Sequence, residues 1–252
     1  MIAIQYKDVR KRFGSSVAVN HVSADIEEGE FITILGSSGC GKTTLLKMTN
    51  RLYECDEGSI HILGSDISKK DPVQLRRSIG YVIQQVGLFP HMTIAENIAT
   101  VPNLLGWSAS VTEKRIDELL TLVGLDDPSF KDRYPSSLSG GQQQRIGLAR
   151  AMAADPKVML LDEPFGAIDA ITRLNLQNEL KRIHAQSKKT YLFVTHDINE
   201  AFKLGTRVMI MNEGKLLQFD TPKEIVRHPS DAFVKELIDS AREQNEYWET
   251  DR

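Results

Sequence analysis

Two cysteines, Cys40 and Cys55, among 252 residues are too few for a disulfide framework. They lie on either side of an expected helix, one of them inside a glycine-rich loop, so a metal knuckle is not indicated and a reducing cytosol is the expected compartment. Long apolar runs are missing as well. No stretch approaches the roughly 20 residues needed to cross a bilayer, so any membrane role is expected to be peripheral, through a partner. The start, Met1-Ile2-Ala3-Ile4-Gln5-Tyr6-Lys7-Asp8, alternates like a strand and lacks the layout of a signal peptide. An excess of one charge is also absent. With 31 basic and 34 acidic residues the net charge is −3, which argues against broad attraction to nucleic acid or anionic lipid. No internal repeat or low-complexity linker is visible.

What is present is organised around residues 36–44, Gly36-Ser37-Ser38-Gly39-Cys40-Gly41-Lys42-Thr43-Thr44. The apolar run Phe31-Ile32-Thr33-Ile34-Leu35 precedes it and Leu45-Leu46-Lys47-Met48 follows, the strand–loop–helix context of a phosphate-binding loop. Glycines let backbone N–H groups curl round an anion and the helix N-terminus adds its dipole. Lys42 can then reach the β and γ phosphates, and the Thr43 hydroxyl can ligate Mg²⁺. Nucleotide binding is the first expectation.

Before this loop, strands are expected over 2–9, 17–19, 22–26 and 31–35, an antiparallel β start. Phe13 precedes a turn at Gly14, where an aromatic face can stack on a nucleobase; taken alone, it reads first as core packing. After a helix over 43–52, a short hairpin is expected across 58–67, and Asp71-Pro72 opens a further helix. The strand 79–83 ends in Gln84, whose amide oxygen can meet a metal ion and whose nitrogen can meet a water; taken alone, it reads first as a solvated strand end. The segment Val86-Gly87-Leu88-Phe89-Pro90-His91-Met92 places apolar residues in a connection, as interaction surfaces do. Thr93-Ile94-Ala95-Glu96 is a capping-box arrangement, and 111–123 is amphipathic.

Ser139-Gly140-Gly141-Gln142 opens a helix over 142–153 and forms either a second anion site or an N-cap with flexible glycines. The run 158–161 is all apolar and ends in Asp162-Glu163, with Asp162 placed to hold Mg²⁺ through water. Glu163 faces away from Asp162 if strand geometry persists, and can orient or deprotonate a water. A helix over 170–186 leads to the strand 191–195, which delivers His196 to where an imidazole can touch a phosphate oxygen. Strands over 207–211 and 215–219, turned at Asn212-Glu213-Gly214, and helices opening at Thr221 and over 231–240 complete the pattern. Alternating βα units around the loop argue for a parallel sheet with flanking helices.

Together these stretches, over about residues 2–240, resemble the ATP-binding cassette family; the Leu138-Ser139-Gly140-Gly141-Gln142 run between a phosphate loop and an apolar-Asp-Glu strand is the most specific feature. The resemblance implies a RecA-like α/β phosphate-loop NTPase fold, with the core and an antiparallel β subdomain over 1–85 and 158–222. A helical lobe over 86–157 and a short helical tail over 223–252 complete it. It implies that Phe13 stacks on adenine and that Gln84 senses Mg²⁺ and the γ-phosphate. Glu163 is then the catalytic carboxylate, with His196 completing the site. Two cassettes, a homodimer or a mixed pair, would pack head to tail, with Ser139, Gly141 and Gln142 of one closing on the ATP held by Lys42 of the other. Gly166-Ala167-Ile168-Asp169 matches the loop that communicates across such a dimer, with Ile168 where Leu is usual. A membrane permease docking near 86–92, a substrate-binding protein acting indirectly, and the cytoplasmic face of the membrane follow as expectations.

The runs Lys47-Met48-Thr49-Asn50-Arg51-Leu52 and Asp71-Pro72-Val73-Gln74-Leu75-Arg76-Arg77 are most similar to ATPase subunits of glycine betaine, carnitine and choline importers. Many of those carry tandem CBS domains, whereas this sequence ends at Arg252, so sensing by such a tail is not expected. Importers of other small solutes, such as amino acids, remain an alternative reading. A cassette of DNA repair or translation would carry a coiled-coil insert or a second cassette in one chain. A monomeric phosphate-loop kinase or GTPase would leave residues 138–142 unexplained.

Overall fold

The computed structural model describes residues 1–84, 87–166 and 169–249, with side chains through 243. The chain divides into two compact units, Met1–Lys70 with Thr190–Arg252, and Asp71–Lys189. Each has its own organisation.

The first unit opens with β1 (Ile2–Phe13) and β2 (Ser16–Glu27), paired antiparallel with Ile4 opposite Ile26 and Val9 opposite Val22. Ile4, Tyr6 and Val9 are fully or almost fully buried, so the alternation read from the sequence becomes the core face. The two strands expected over 17–19 and 22–26 are one. Between them His21 takes a left-handed φ of 53° opposite Asp8 at 51°, and the His21 Nδ1 to Asp8 Oδ1 distance is 2.9 Å. This paired irregularity breaks the apolar pattern without breaking the strand.

β3 (Phe31–Gly36) is buried along its length and runs into the phosphate loop and α1 (Lys42–Thr49), shorter than the helix expected over 43–52. β4 (Glu57–Ile62) pairs with the other edge of β1, and β5 (Ser65–Asp66) closes the expected hairpin, giving the order β2-β1-β4-β5.

The second unit begins with α2 (Pro72–Arg77), where the Asp71 carboxylate accepts from the Gln74 N–H at 2.9 Å. Then come β6 (Ile79–Val82), α3 (Ile94–Leu104), α4 (Ala109–Leu122), α5 (Gly140–Met152), β7 (Val158–Asp162) and α6 (Ala170–Ser187). β6 and β7 are parallel neighbours, Ile79 opposite Val158 and Val82 opposite Leu161. At α3 the capping box is complete, with Thr93 Oγ1 accepting from Glu96 N and Glu96 Oε2 accepting from Thr93 N.

The chain then returns to the first unit through β8 (Thr190–Val194), α7 (Ile198–Leu204), β9 (Arg207–Asn212), β10 (Lys215–Asp220), α8 (Pro222–Arg227) and α9 (Ala232–Glu249). β8 and β9 flank β3 in parallel and β10 turns back antiparallel to β9. A strand buried on both faces needs cover on both faces. On one side Leu35, Val208 and Ile210 pack with Ala201, Ile225, Val234 and Ile238 from α7, α8 and α9. The turn into β10 has Glu213 and Gly214 both left-handed, at φ 46° and 77°, the geometry that matches strand twist in a two-residue hairpin. α9 runs well past the expected end near 240.

Candidate functional site

The phosphate loop is built by exclusion. A Cβ on Gly36 would lie 2.0 Å from the Met211 carbonyl oxygen of β9, and one on Gly41, at φ 106°, 2.1 Å from the Ala18 carbonyl oxygen of β2. Both neighbours are backbone, which cannot step aside. The β9–β10 turn closes over the loop, since the Gly214 N–H donates to Cys40 O at 3.0 Å and Gly214 O accepts from Asn20 N at 2.8 Å. Asn212 Oδ1 accepts from Ser37 Oγ at 3.3 Å. The sequence pattern named the glycines; it gave no sign of this latch.

α2, α3, α4, α5, α6, α7 and α8 each begin on Asp, Thr or Ser, whose side chain accepts a first-turn N–H. α1 begins on Gly41, which has no side chain to do so, and has no acidic residue in its first turn. Its N-terminal amides and dipole are therefore suited to an external anion. Lys42 is buried, and its ammonium donates to the carbonyls of Gly36 and Ser37, each at 2.9 Å. Two of its three donors thus hold the loop's shape, and the third meets only the weak acceptor Cys40 Sγ at 3.9 Å, a contact a phosphate oxygen can displace. Ser38, Gly39 and Thr44 complete the loop, with Cys40 only 4% exposed.

Phe13 ends β1 half exposed, its ring 5.2 Å from that of Tyr53 at 75°. It is therefore no core residue. His196 follows β8, exposed, on backbone that its neighbours fix. Thr195 Oγ1 donates to the buried Glu200 carboxylate at 2.7 Å and accepts from Asp197 N at 3.0 Å, while Asp197 caps α7.

In the second unit the carboxylate pair departs from the expected geometry. Asp162, the last residue of β7, is buried, but Glu163 takes a left-handed φ of 42°. Strand alternation therefore stops at Asp162 and does not decide where Glu163 points. A left-handed glutamate costs about 1–3 kcal/mol, the kind of strain retained at working sites. The Glu163 carboxylate accepts from Gln84 Nε2 at 3.3 Å. Gln84 thus turns its nitrogen to the Glu163 carboxylate.

Ser139 caps α5, which starts two residues earlier than expected. Its Oγ accepts from Gln142 N at 3.3 Å and its N–H donates to Gln142 Oε1 at 3.0 Å. The cap and the anion-site readings are compatible, because this box leaves the Ser139 O–H and the amides of Gly140 and Gly141 without intrahelical acceptors. A Cβ on Gly141 would lie 2.7 Å from Thr172 Cγ2 of α6, whereas one on Gly140 would meet nothing within 4 Å. Gly141 is thus demanded by helix packing, a reason invisible in the sequence.

Of the segment 86–92 and the loop 166–169, Val86, Ala167 and Ile168 lie outside the described residues. The remainder of the first is gripped by Asn97 of α3, itself fully buried. Its Oδ1 accepts from Phe89 N at 2.8 Å, and its Nδ2 donates to the carbonyls of Phe89, Met92 and Thr93 at 3.1, 3.2 and 2.9 Å. Arg150 of α5 donates to Gly87 O at 2.8 Å. Phe89 remains 39% exposed.

The donor set fits Mg²⁺ and a nucleotide. Among the described residues no cluster of His, Cys, Asp and Glu makes a cage of its own. Mg²⁺ commonly takes one or two protein oxygens and completes its shell with phosphate and water. Within the second unit, Gln84 and Asp162 carry side-chain oxygens of the kind such a shell uses. Among the described residues no helix is long and apolar enough to cross a membrane.

Comparison with known proteins agrees with this chemistry. The pattern of the ABC transporter family matches residues 19–166. The chain is 54% identical over 229 residues to the glycine betaine/carnitine/choline transport ATP-binding protein OpuCA of Bacillus subtilis, covering 91% of this chain and 60% of that one. It is 53% identical over 240 residues to the carnitine transport ATP-binding protein OpuCA of Listeria monocytogenes, covering 95% and 60%. The chain thus spans about three fifths of these relatives' length. Among solved structures, a dimeric post-hydrolysis state of the ATP-binding cassette MJ0796, bound to ADP and Pi, superposes with a TM-score of 0.76 at 34% identity. That match covers 86% of this chain and 98% of the other. A RecA-like phosphate-loop architecture, an uncapped helix at the phosphate loop and more than half of the aligned residues shared with transport ATP-binding proteins lead to one conclusion: the chain belongs to the ABC transporter family, as an ATP-binding domain of it.

Proposed function

We propose that the chain is the ATPase subunit of an importer for a quaternary amine such as glycine betaine, carnitine or choline. It works at the cytoplasmic face of the membrane as one of two paired cassettes. The observation that carries the reading is the pairing, in one chain, of an uncapped phosphate-loop helix with a second exposed helix start at Ser139-Gly140-Gly141. One nucleotide needs one phosphate loop; a second anion-binding end has work to do only on another chain's nucleotide. Similarity to quaternary-amine transport proteins supports the substrate class.

In this reading Lys42 and the loop amides hold the β and γ phosphates, and Phe13 stacks on the adenine. Thr43, Gln84 and Asp162 hold Mg²⁺, which when bound offsets phosphate charge. Glu163 accepts a proton from the attacking water, Gln84 fixes the carboxylate by its 3.3 Å hydrogen bond, and His196 meets a γ-phosphate oxygen. Ser139, Gly141 and Gln142 donate to the partner cassette's γ-phosphate, so that its loss opens the pair. The exposed face around Phe89, held by Asn97 and Arg150, passes that motion to a separate permease, which is served by a substrate-binding protein. The functional division keeps 1–85 and 158–222 as nucleotide core, 86–157 as lobe and 223–252 as tail.

The test is the solution mass of the Glu163→Gln protein with and without Mg-ATP, starting from 28.3 kDa for one chain. Doubling that requires ATP and disappears in Ser139→Arg is the expected result. A protein that binds ATP and stays single in both would remove the homodimer. Lys42→Ala with unchanged ATP turnover would remove the site.

A further inference from the structure

We propose that Tyr53 is a positioning residue for the nucleobase, bracing Phe13 edge to face; this rests on the reading that Phe13 stacks on adenine. The rings sit 5.2 Å apart at 75°, a geometry that fixes their relative tilt while Phe13 stays half exposed. Phe13 is the last residue of its strand, before the Gly14 turn, and its other ring contact is the Lys11 ammonium, 5.6 Å from the ring centre, a flexible point charge that does not set a ring's tilt.

Tyr53 has the support a brace needs. It rides on 50–56, the continuation of the phosphate-loop helix, and that segment is stapled at both ends. Leu52 N donates to Lys47 O at 2.8 Å, and Arg51 holds Glu54 at 2.8 Å while also donating to the carbonyls of Ile67 and Lys70. At the far end Asp56 accepts from Lys11 Nζ at 2.7 Å and from Arg12 N at 2.6 Å, and Asp56 N donates to Arg10 O at 2.9 Å. The same three residues of β1 lead directly into Phe13. A loop anchored to β1 on one side and to α1 on the other thereby links the base end of the site to its phosphate end.

A purely structural tyrosine would be packed. Tyr53 is 36% exposed and borders a cavity of about 140 Å³ with Met48, Ile60 and Ile67. Its ring therefore contributes little to the core, and its replacement by leucine leaves the fold standing. What the replacement removes is the edge-to-face contact with Phe13, together with the Lys47 ammonium's contact 5.9 Å from the Tyr53 ring centre; Tyr53→Phe keeps both.

The experiment compares the wild-type chain with Tyr53→Leu, Tyr53→Phe, Phe13→Leu and the Phe13→Leu/Tyr53→Leu double variant, measuring dissociation constants by equilibrium dialysis. The probes are Mg-ATP and Mg-tripolyphosphate, which has phosphates and no base. Tyr53→Leu is expected to weaken ATP about three- to tenfold, the worth of an aromatic pair, and to leave tripolyphosphate unchanged. Tyr53→Phe should bind both as wild type, and the double variant should bind ATP no more weakly than Phe13→Leu. If Tyr53→Leu binds ATP normally while Phe13→Leu does not, or if it loses tripolyphosphate equally, the brace is overturned and Phe13 stacking stands. If Phe13→Leu binds ATP as wild type, the stacking reading falls and takes the brace with it.

Discussion

The phosphate loop and the carboxylate edge do their work by opposite means. The loop is backbone held by backbone, with Gly36 against Met211 O, Gly41 against Ala18 O, and the Gly214 amide on Cys40 O at 3.0 Å. The edge is side chains on a departing strand, with Glu163 left-handed and joined to Gln84 by a 3.3 Å hydrogen bond. A loop of this kind is rigid before any ligand arrives, because no rotamer can relax it. An edge of this kind can be re-aimed by one torsion. Binding and chemistry should thus respond differently to substitution.

Gly41→Ala tests the loop most severely. The added methyl would stand 2.1 Å from backbone in a left-handed residue, so ATP binding should vanish. Stability should fall by about 3 kcal/mol or more, read as a drop of roughly 10 °C in Tm. Gly140→Ala, with nothing within 4 Å, is the contrast and should hold or gain stability by up to about 1 kcal/mol. Glu163→Gln tests the edge: kcat for ATP should fall about 10²–10⁴-fold with Tm and ATP affinity retained. A variant that loses affinity and rate together would erase the distinction between the regions.

Asn97→Ala should cost about 1–3 kcal/mol by stranding part-buried backbone groups of Phe89, measured by urea unfolding, while leaving ATP affinity alone. The smallest effect concerns Asp155, whose carboxyl is held below the usual range chiefly by the hydrogen bond from Lys189, and further by the charges of Lys189 and Arg115. A depressed carboxyl contributes stability above its unfolded value, near 4, and loses it as pH falls through the lower folded value. Asp155→Asn should therefore lower Tm slightly at pH 7 and leave it unchanged at the acid end of the folded range. The exposure of Asp155, at 68%, keeps the effect below about 1 kcal/mol.

Labelling distinguishes the two thiols. Cys40 is buried in the loop, so its alkylation is too slow to serve as the ready probe of nucleotide occupancy that its position first promises. Burial, then the charge of Glu54, pushes Cys55 up to about 11. Iodoacetamide at pH 8 should accordingly react slowly with both.

Much of the site was legible because phosphate chemistry constrains consecutive residues: Gly36 to Thr44 had to be a loop before a helix whatever the rest did. Asp162 and Ser139 were legible for the same reason, as ends of periodic elements. What escaped was set by distant backbone or by single torsions. No local pattern marks Glu163 as left-handed, Gly141 as pressed by Thr172, or Tyr53 as the neighbour of Phe13. The two strands read into 16–27 were separated by a polar Asn20-His21 pair that the fold absorbs as a bulge. Helix ends shifted by a few residues because Ser139, Asn50 and their neighbours cap in ways that hydrophobic spacing does not record.

The latch between Gly214 and the loop ties together residues far apart along the chain; Ser37 and Asn212, bonded at its edge, are separated by 175 positions. During synthesis the loop residues emerge early and their lid emerges late. A nascent chain halted before β9 holds the whole glycine-rich motif, yet has neither the Met211 carbonyl that shapes Gly36 nor the Gly214 amide that fastens Cys40. Nucleotide affinity is consequently a property the chain acquires only once β9 and the turn at Gly214 have been made, and the loop reports on the docking of that hairpin.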